Sequence, residues 1–149
     1  MHTGELRFDI DLLARRVTAV VDWLATTPET TALPIGLFGA STGAAAALVA
    51  AAQRPAMVAA IVSRGGRPDL ARPHLSAVRA PALFIVGERD LAVLDVTREA
   101  MRELPGVTHL AMIAGASHLF EEPGALEEVA RLAREWFARH LVPPASGGS

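Results

Sequence analysis

The run LFGASTG at positions 37–43 places a single serine, Ser41, between two glycines, just where an apolar stretch gives way to one made almost wholly of alanine. Upstream, Ile35 to Phe38 is short and apolar. Downstream, Ala44 to Ala52 carries no polar side chain. The change of pattern reads as a strand, a sharp turn and a helix. Gly39-Ala40-Ser41-Thr42-Gly43 is a GxSxG sequence, and small residues two places either side of a serine suit a strained turn that lifts a hydroxyl to the C-terminal edge of a sheet. A plain glycine-containing loop yields the same five letters, so the flanking strand and helix carry the reading.

Working outward, the same alternation recurs. MVAAIVS (57–63) is followed by the loop RGGRPD and a weak helix, and PALFIVG (81–87) by a helix around Val96 to Leu104. HLAMIAG (109–115) leads to a helix from about Pro123 to Leu141, whose apolar stripe is Leu126, Val129, Ala130, Ala133, Trp136 and Phe137. Before the serine, Leu12, Leu13, Val17, Val20, Val21 and Leu24 recur at helical spacing between Asp9 and Ala25. The strands are apolar throughout rather than alternating, as parallel strands covered on both faces must be. The expected fold class is α/β, with about four parallel strands flanked by helices in three layers. Residues 1–142 read as one domain, and PPASGGS (143–149) as a flexible tail.

Composition narrows the function. The 149 residues are 51% hydrophobic with a net charge of −2 and a pI near 6.2, which gives no basic footprint for nucleic acid or an anionic membrane. The absence of cysteine excludes disulfides and thiolate chemistry. The start, MHTGELRFD, lacks the basic-then-apolar pattern of a signal peptide, and no apolar run approaches the roughly 18 residues of a membrane span. The chain is expected to be soluble and cytoplasmic. No convergent set of metal ligands is visible, and no cofactor is expected.

A serine hydroxyl needs a base to take its proton, and the base needs an acid to orient it. Of the five histidines, His2 lies in an N-terminal arm, His74 in the weak segment, His109 at the start of a strand and His140 at the end of a helix. Only His118, in Gly115-Ala116-Ser117-His118, directly follows a strand in a loop, which points it to the same sheet edge as Ser41. For the acid, Asp90 stands three residues past the end of the strand PALFIVG. Asp69 and Asp95 compete with it, and by position read as helix-start residues. Ser41, Asp90 and His118 thus follow three different parallel strands at the edge where open α/β sheets place their sites. Arg64 and Arg67, after strand 57–63 at that edge, are candidates to receive a substrate carboxylate, against the alternative of a solvated glycine loop.

The order of these residues and the GxSxG turn resemble the α/β-hydrolase fold. FDIDLLARRV, LPIGLFGASTGAAAAL, VSRGGRPDLA, LFIVGERD and GASHLFEEPGALEEVA are similar in particular to dienelactone-hydrolase-like proteins, including those fused to a phosphoribosyltransferase domain. The resemblance runs from about Arg7 to Leu141. It implies Ser41 as nucleophile, Asp90 as triad acid, His118 as base and the Thr42 amide as one oxyanion donor. The serine departs from the cysteine of dienelactone hydrolases themselves, so the implied substrates are small carboxylic esters in general. The family's sheet has about eight strands, and the resemblance starts at the helix before the nucleophile strand. The first half of that sheet, which carries the second oxyanion donor, has no counterpart here; either catalysis is weak, or another segment supplies the donor, with the arm MHTGELRF and a loop of a second subunit as the candidates. The bare edge of strand 35–38 that results implies a homodimer or larger homo-oligomer. The alternative function is a half-domain that acts as an interaction or folding module completed by a partner.

Overall fold

The four apolar runs form the four strands: β1 (Ile35–Ala40), β2 (Val58–Arg64), β3 (Ala82–Gly87) and β4 (Thr108–Ile113). The structure, a computed structural model, describes residues 3–142, so His2 and the expected tail 143–149 lie outside the described residues. The strands pair in parallel in the order β1-β2-β3-β4. Around them run α1 (Thr3–Thr26), α2 (Thr42–Gln53), a 3-10 helix (Pro68–Ala77), α3 (Leu91–Glu103) and α4 (Ala125–His140). Each strand lies beside its next neighbour in sequence, so the chain lays down its sheet in one direction.

The period-2 geometry of the strands divides the core in two. Val58, Ile61, Ala82 and Phe84 face one layer with the alanines of α2, Ile10 and Ala14 of α1, and Leu70 and Leu75 of the 3-10 helix. Ala60, Val62, Leu83 and Ile85 face the other, where Val129, Ala133 and Trp136 of α4 cover them. The result is the expected three-layer α/β/α arrangement. All six residues of β3 are buried, as a central parallel strand requires. Residues Ala44 to Ala51 of α2 are buried without exception, because methyl side chains let the helix lie close to the strands. Among the described residues no helix is long and apolar enough to cross a membrane.

Three local expectations are corrected. The weak helix after RGGRPD is a 3-10 helix: Pro73 inside it lacks the N–H that an α-helical ladder needs. α3 begins at Leu91, well before the expected Val96, since Val93, Leu94, Thr97 and Ala100 form its buried face. In α4 the buried stripe is Ala125, Val129, Ala133 and Trp136, while Leu126 is 53% exposed and Ala130 faces solvent.

α1 also packs differently from its apolar spacing. Its core contacts are made by Ile10 and Ala14, while buried Val21, together with Leu13, Val17, Val20 and Leu24, lines an apolar groove of about 390 Å³ with Ile35 and Leu37 of β1. β1 pairs only with β2, and its outer edge is unpaired among the described residues. Phe38 on it is 50% exposed. The expected bare edge is therefore present.

The β1–α2 turn depends on one glycine of the pair. A Cβ on Gly39 would lie 2.5 Å from the Gly43 carbonyl oxygen and 2.7 Å from the Ala44 Cα, whereas one on Gly43 would meet nothing within 4 Å. The symmetrical demand for small residues is thus one-sided: the strand glycine is sterically required, and the helix glycine has open space. Gly39→Ala should lower the unfolding free energy by about 1–3 kcal/mol through overpacking, and Gly43→Ala, inside a helix, should leave it level or raise it by about 0.5–1 kcal/mol. Urea midpoints of the two variants check this, and equal midpoints would contradict the one-sided turn.

Candidate active site

Ser41 sits between β1 and α2 with φ 52° and ψ −123°. A residue with a Cβ rarely adopts such a backbone, which costs on the order of 1–3 kcal/mol and persists only where its surroundings hold it. Those surroundings are backbone hydrogen bonds: the Ser41 N–H donates to the Arg64 carbonyl (3.3 Å), and the Ser41 carbonyl accepts from the N–H groups of Ala44 (3.2 Å) and Arg67 (3.3 Å). The serine occupies the N-cap position of α2 yet makes no side-chain cap bond. Its Oγ lies 3.3 Å from His118 Nε2 instead.

His118 is presented by the loop between β4 and α4. Its Nδ1 lies 2.7 Å from Asp90 Oδ2. A nitrogen this close to a carboxylate carries the proton, which leaves Nε2 as the acceptor facing the serine hydroxyl. Asp90 is the N-cap residue of α3 and, like Ser41, makes no side-chain cap bond. Its carboxylate is spent on the imidazole. The Asp90 side chain is 14% exposed and that of His118 is 41% exposed, so the acid is enclosed while the base opens to solvent. Gly65, at φ 53°, comes against the ring: a Cβ there would lie 3.5 Å from His118 Cε1.

The other candidates fall away from this group. Asp69 is held by Arg67 through two bonds of 3.0 and 2.9 Å, and Asp95 is an exposed residue inside α3 rather than at its start. The helix-start position belongs to Asp90. His74 lies in the 3-10 helix and His109 in β4. His140 stacks on Trp136 with ring centroids 4.3 Å apart, and burial, followed by the Arg139 charge, lowers its pKa.

Of the two loop arginines only Arg64 has no ion pair among the described residues. Its guanidinium carbon is 5.4 Å from the centroid of the Phe120 ring, and Phe120 is two residues beyond His118. Thr42 is the first residue of α2, where backbone N–H groups have no partner within the helix and the helix dipole favours negative charge. The expected N-terminal arm is, from Thr3 onward, the start of α1. Among the described residues no group of three His, Asp or Glu side chains converges as metal ligands would.

One residue escaped the sequence reading. Glu122 Oε1 accepts the N–H of Ser117 (2.9 Å), the residue before His118. The Ser117 side chain, the Glu122 and Ser117 amides and the Arg89 charge, in that order, hold its carboxyl below the usual range against a desolvation cost. In the sequence it is one of two acids before Pro123 and reads as a helix-start charge; no spacing rule connects it to the histidine.

Comparison with known proteins agrees with this architecture. A dienelactone hydrolase from Anabaena variabilis superposes with a TM-score of 0.89 at 55% identity, covering 95% of this chain and 65% of its own. A monoacylglycerol lipase from Paleococcus ferrophilus superposes with a TM-score of 0.73 at 17% identity over 88% of this chain and 76% of its own, a likeness of fold alone. A Mycobacterium tuberculosis protein, provisionally named a phosphoribosyl transferase, is 57% identical over 141 residues, which are 95% of this chain and 32% of that protein. The chain thus spans about a third of the curated relatives it matches and under two thirds of the solved dienelactone hydrolase. With a match to the dienelactone hydrolase family model over residues 4–141, which takes in all four strands and the whole Ser41–His118–Asp90 chain, the protein belongs to the dienelactone hydrolase family.

Proposed function

We propose that the protein is a serine hydrolase that cleaves small carboxylic esters through an acyl-enzyme. The observation that carries this reading is the continuous chain Ser41 Oγ, His118 Nε2, His118 Nδ1, Asp90 Oδ2, with separations of 3.3 and 2.7 Å. Ser41 Oγ attacks the ester carbonyl carbon as His118 Nε2 takes its proton. Asp90 holds the imidazole in the required tautomer and stabilises its charged form. The carbonyl oxygen, negative in the tetrahedral intermediate, lies toward the Thr42 amide at the positive end of α2. The intermediate collapses as His118 returns the proton to the departing alkoxide. Water then attacks the acyl group by the same sequence, with Ser41 as the leaving group. Arg64, which has no ion pair among the described residues and whose guanidinium carbon lies 5.4 Å from the centroid of the Phe120 ring, gives preference to esters that bear a carboxylate.

The alternative of an interaction module leaves unexplained why Asp90 and Ser41 both forgo their helix caps to meet one histidine. The mycobacterial relative's name belongs to a chain of which this segment is 32%, and we do not extend that activity to these residues. A homodimer through the bare edge of β1 is part of the proposal.

Ser41→Ala and His118→Ala should abolish ester hydrolysis and labelling by a fluorophosphonate probe while leaving thermal unfolding unchanged. Asp90→Asn should lower kcat by on the order of 10⁴-fold. Wild-type turnover in purified Ser41→Ala would remove the assignment, and a loss in Asp95→Asn but not in Asp90→Asn would move the acid. Arg64→Ala should raise KM for a carboxylate-bearing ester and leave KM for its neutral analogue unchanged; equal changes for both would separate Arg64 from the substrate. Light scattering should give at least twice the 15.7 kDa of one chain, and a monomer with full activity would show that the edge needs no second copy.

A further inference from the structure

We propose that Glu122 is a positioning residue whose carboxylate clamps the His118 loop and so sets the imidazole against Ser41. The inference rests on the hydrolase reading for its effect on turnover, but the clamp itself is a structural claim about residues 116–122.

The loop is tied down on both sides of His118. Before it, Ala116 is fully buried, its carbonyl accepts the Arg89 N–H (3.0 Å), and the Ser117 N–H donates to Glu122 Oε1 (2.9 Å). After it, the Phe120 N–H donates to the Ser117 carbonyl (3.2 Å), and the Glu122 carbonyl accepts the Ala125 N–H (3.0 Å) at the start of α4. Glu122 therefore grips the residue before His118 with its side chain and the first turn of α4 with its backbone. His118 sits in the span between.

That span needs a clamp. Phe120 has φ 56°, a left-handed backbone that an aromatic residue disfavours, and its ring is 1% exposed. The ring anchors the far end of the turn; at the near end Ala116 is held to Arg89 and Ile113, and Ser117, next to His118, makes two bonds of its own. Of these, the bond to Glu122 is to a charged acceptor and is the shorter. The carboxylate is half-buried: its Oε2 is enclosed, and its Oε1 accepts the loop amide. Loss of that bond would let residues 117–119 move together. Movement of the imidazole on the order of 1 Å can cost about 100-fold in rate without any contact to substrate.

The test uses the full chain with Glu122→Ala and Glu122→Gln, the second keeping an acceptor oxygen at the same reach without the charge. For Glu122→Ala, kcat for a neutral small ester should fall on the order of 10- to 100-fold at unchanged KM, and the downfield Nδ1–H proton resonance of His118 should broaden through exchange. Glu122→Gln should restore the resonance and most of kcat. Wild-type kcat and an unchanged resonance in Glu122→Ala would overturn the proposal. So would an equal kcat loss in both variants with the resonance intact, since that would assign the effect to charge rather than to position. If Glu122→Ala fails to fold, amide exchange in the wild-type protein decides: the Ser117 N–H should be protected, and exchange as fast as in an unstructured chain would refute the clamp. A wild-type protein that neither hydrolyses esters nor reacts with the fluorophosphonate would count against the hydrolase reading, while the resonance and exchange data would still judge the clamp.

Discussion

The contact on which the site depends is between Gly39 and the backbone of Gly43 and Ala44. A side chain at position 39 would occupy the space of that backbone. Because it is absent, α2 can start almost on top of the strand, and Ser41 is forced into its φ of 52° at the crest of the turn. The strain is balanced by three backbone hydrogen bonds, two of which tie Ser41 to Arg64 at the end of β2 and to Arg67 in the loop that follows. The same close approach buries the alanine run of α2, so packing and site geometry are one constraint.

Parallel pairing carries that constraint across the sheet. All four strands end at the same edge, so the loops after β1, β3 and β4 converge although their residues are far apart in the chain. Asp90 and His118 meet there 28 positions apart, and Ser41 and His118 meet 77 apart. The carboxylate at a helix start would ordinarily cap its own helix. Here the enclosed Asp90 side chain makes no cap bond and turns to the imidazole, 2.7 Å from Nδ1. Arg64, at the end of β2, lies over the ring of Phe120, which links it to the same anchored turn.

The opposite boundary of the sheet has another character. Among the described residues β1 has one neighbour, and the groove between it and α1 is lined by Leu13, Val17, Val20, Leu24, Ile35 and Leu37. A helix in a finished layer would turn these residues inward, whereas α1 packs Ile10 and Ala14 into the core with α2 and the 3-10 helix and leaves a second apolar stripe beside the free strand. An unpaired parallel strand with an apolar flank exposes both hydrogen-bonding groups and hydrocarbon, which is the physical demand behind the proposed assembly.

The sequence by itself determined the strands, the turn and the nucleophile candidate, because each rests on neighbours in the chain: an apolar run without alternation, a glycine two residues before a serine, alanines after it. It also reduced the candidate base to His118, since only one histidine directly follows a strand. Tertiary structure decided what depends on residues distant in the chain. Asp69 is withdrawn from contention by Arg67, Asp95 faces solvent on α3, and Asp90 is left to meet the histidine. Which stripe of α1 is buried, and that Leu126 of α4 is exposed, follow from where each helix finds a neighbour rather than from its periodicity. Glu122 was illegible for the same reason: its bond to Ser117 exists only once Phe120 is buried and the loop is closed, and a carboxylate before a proline has no local pattern that announces what it will hold.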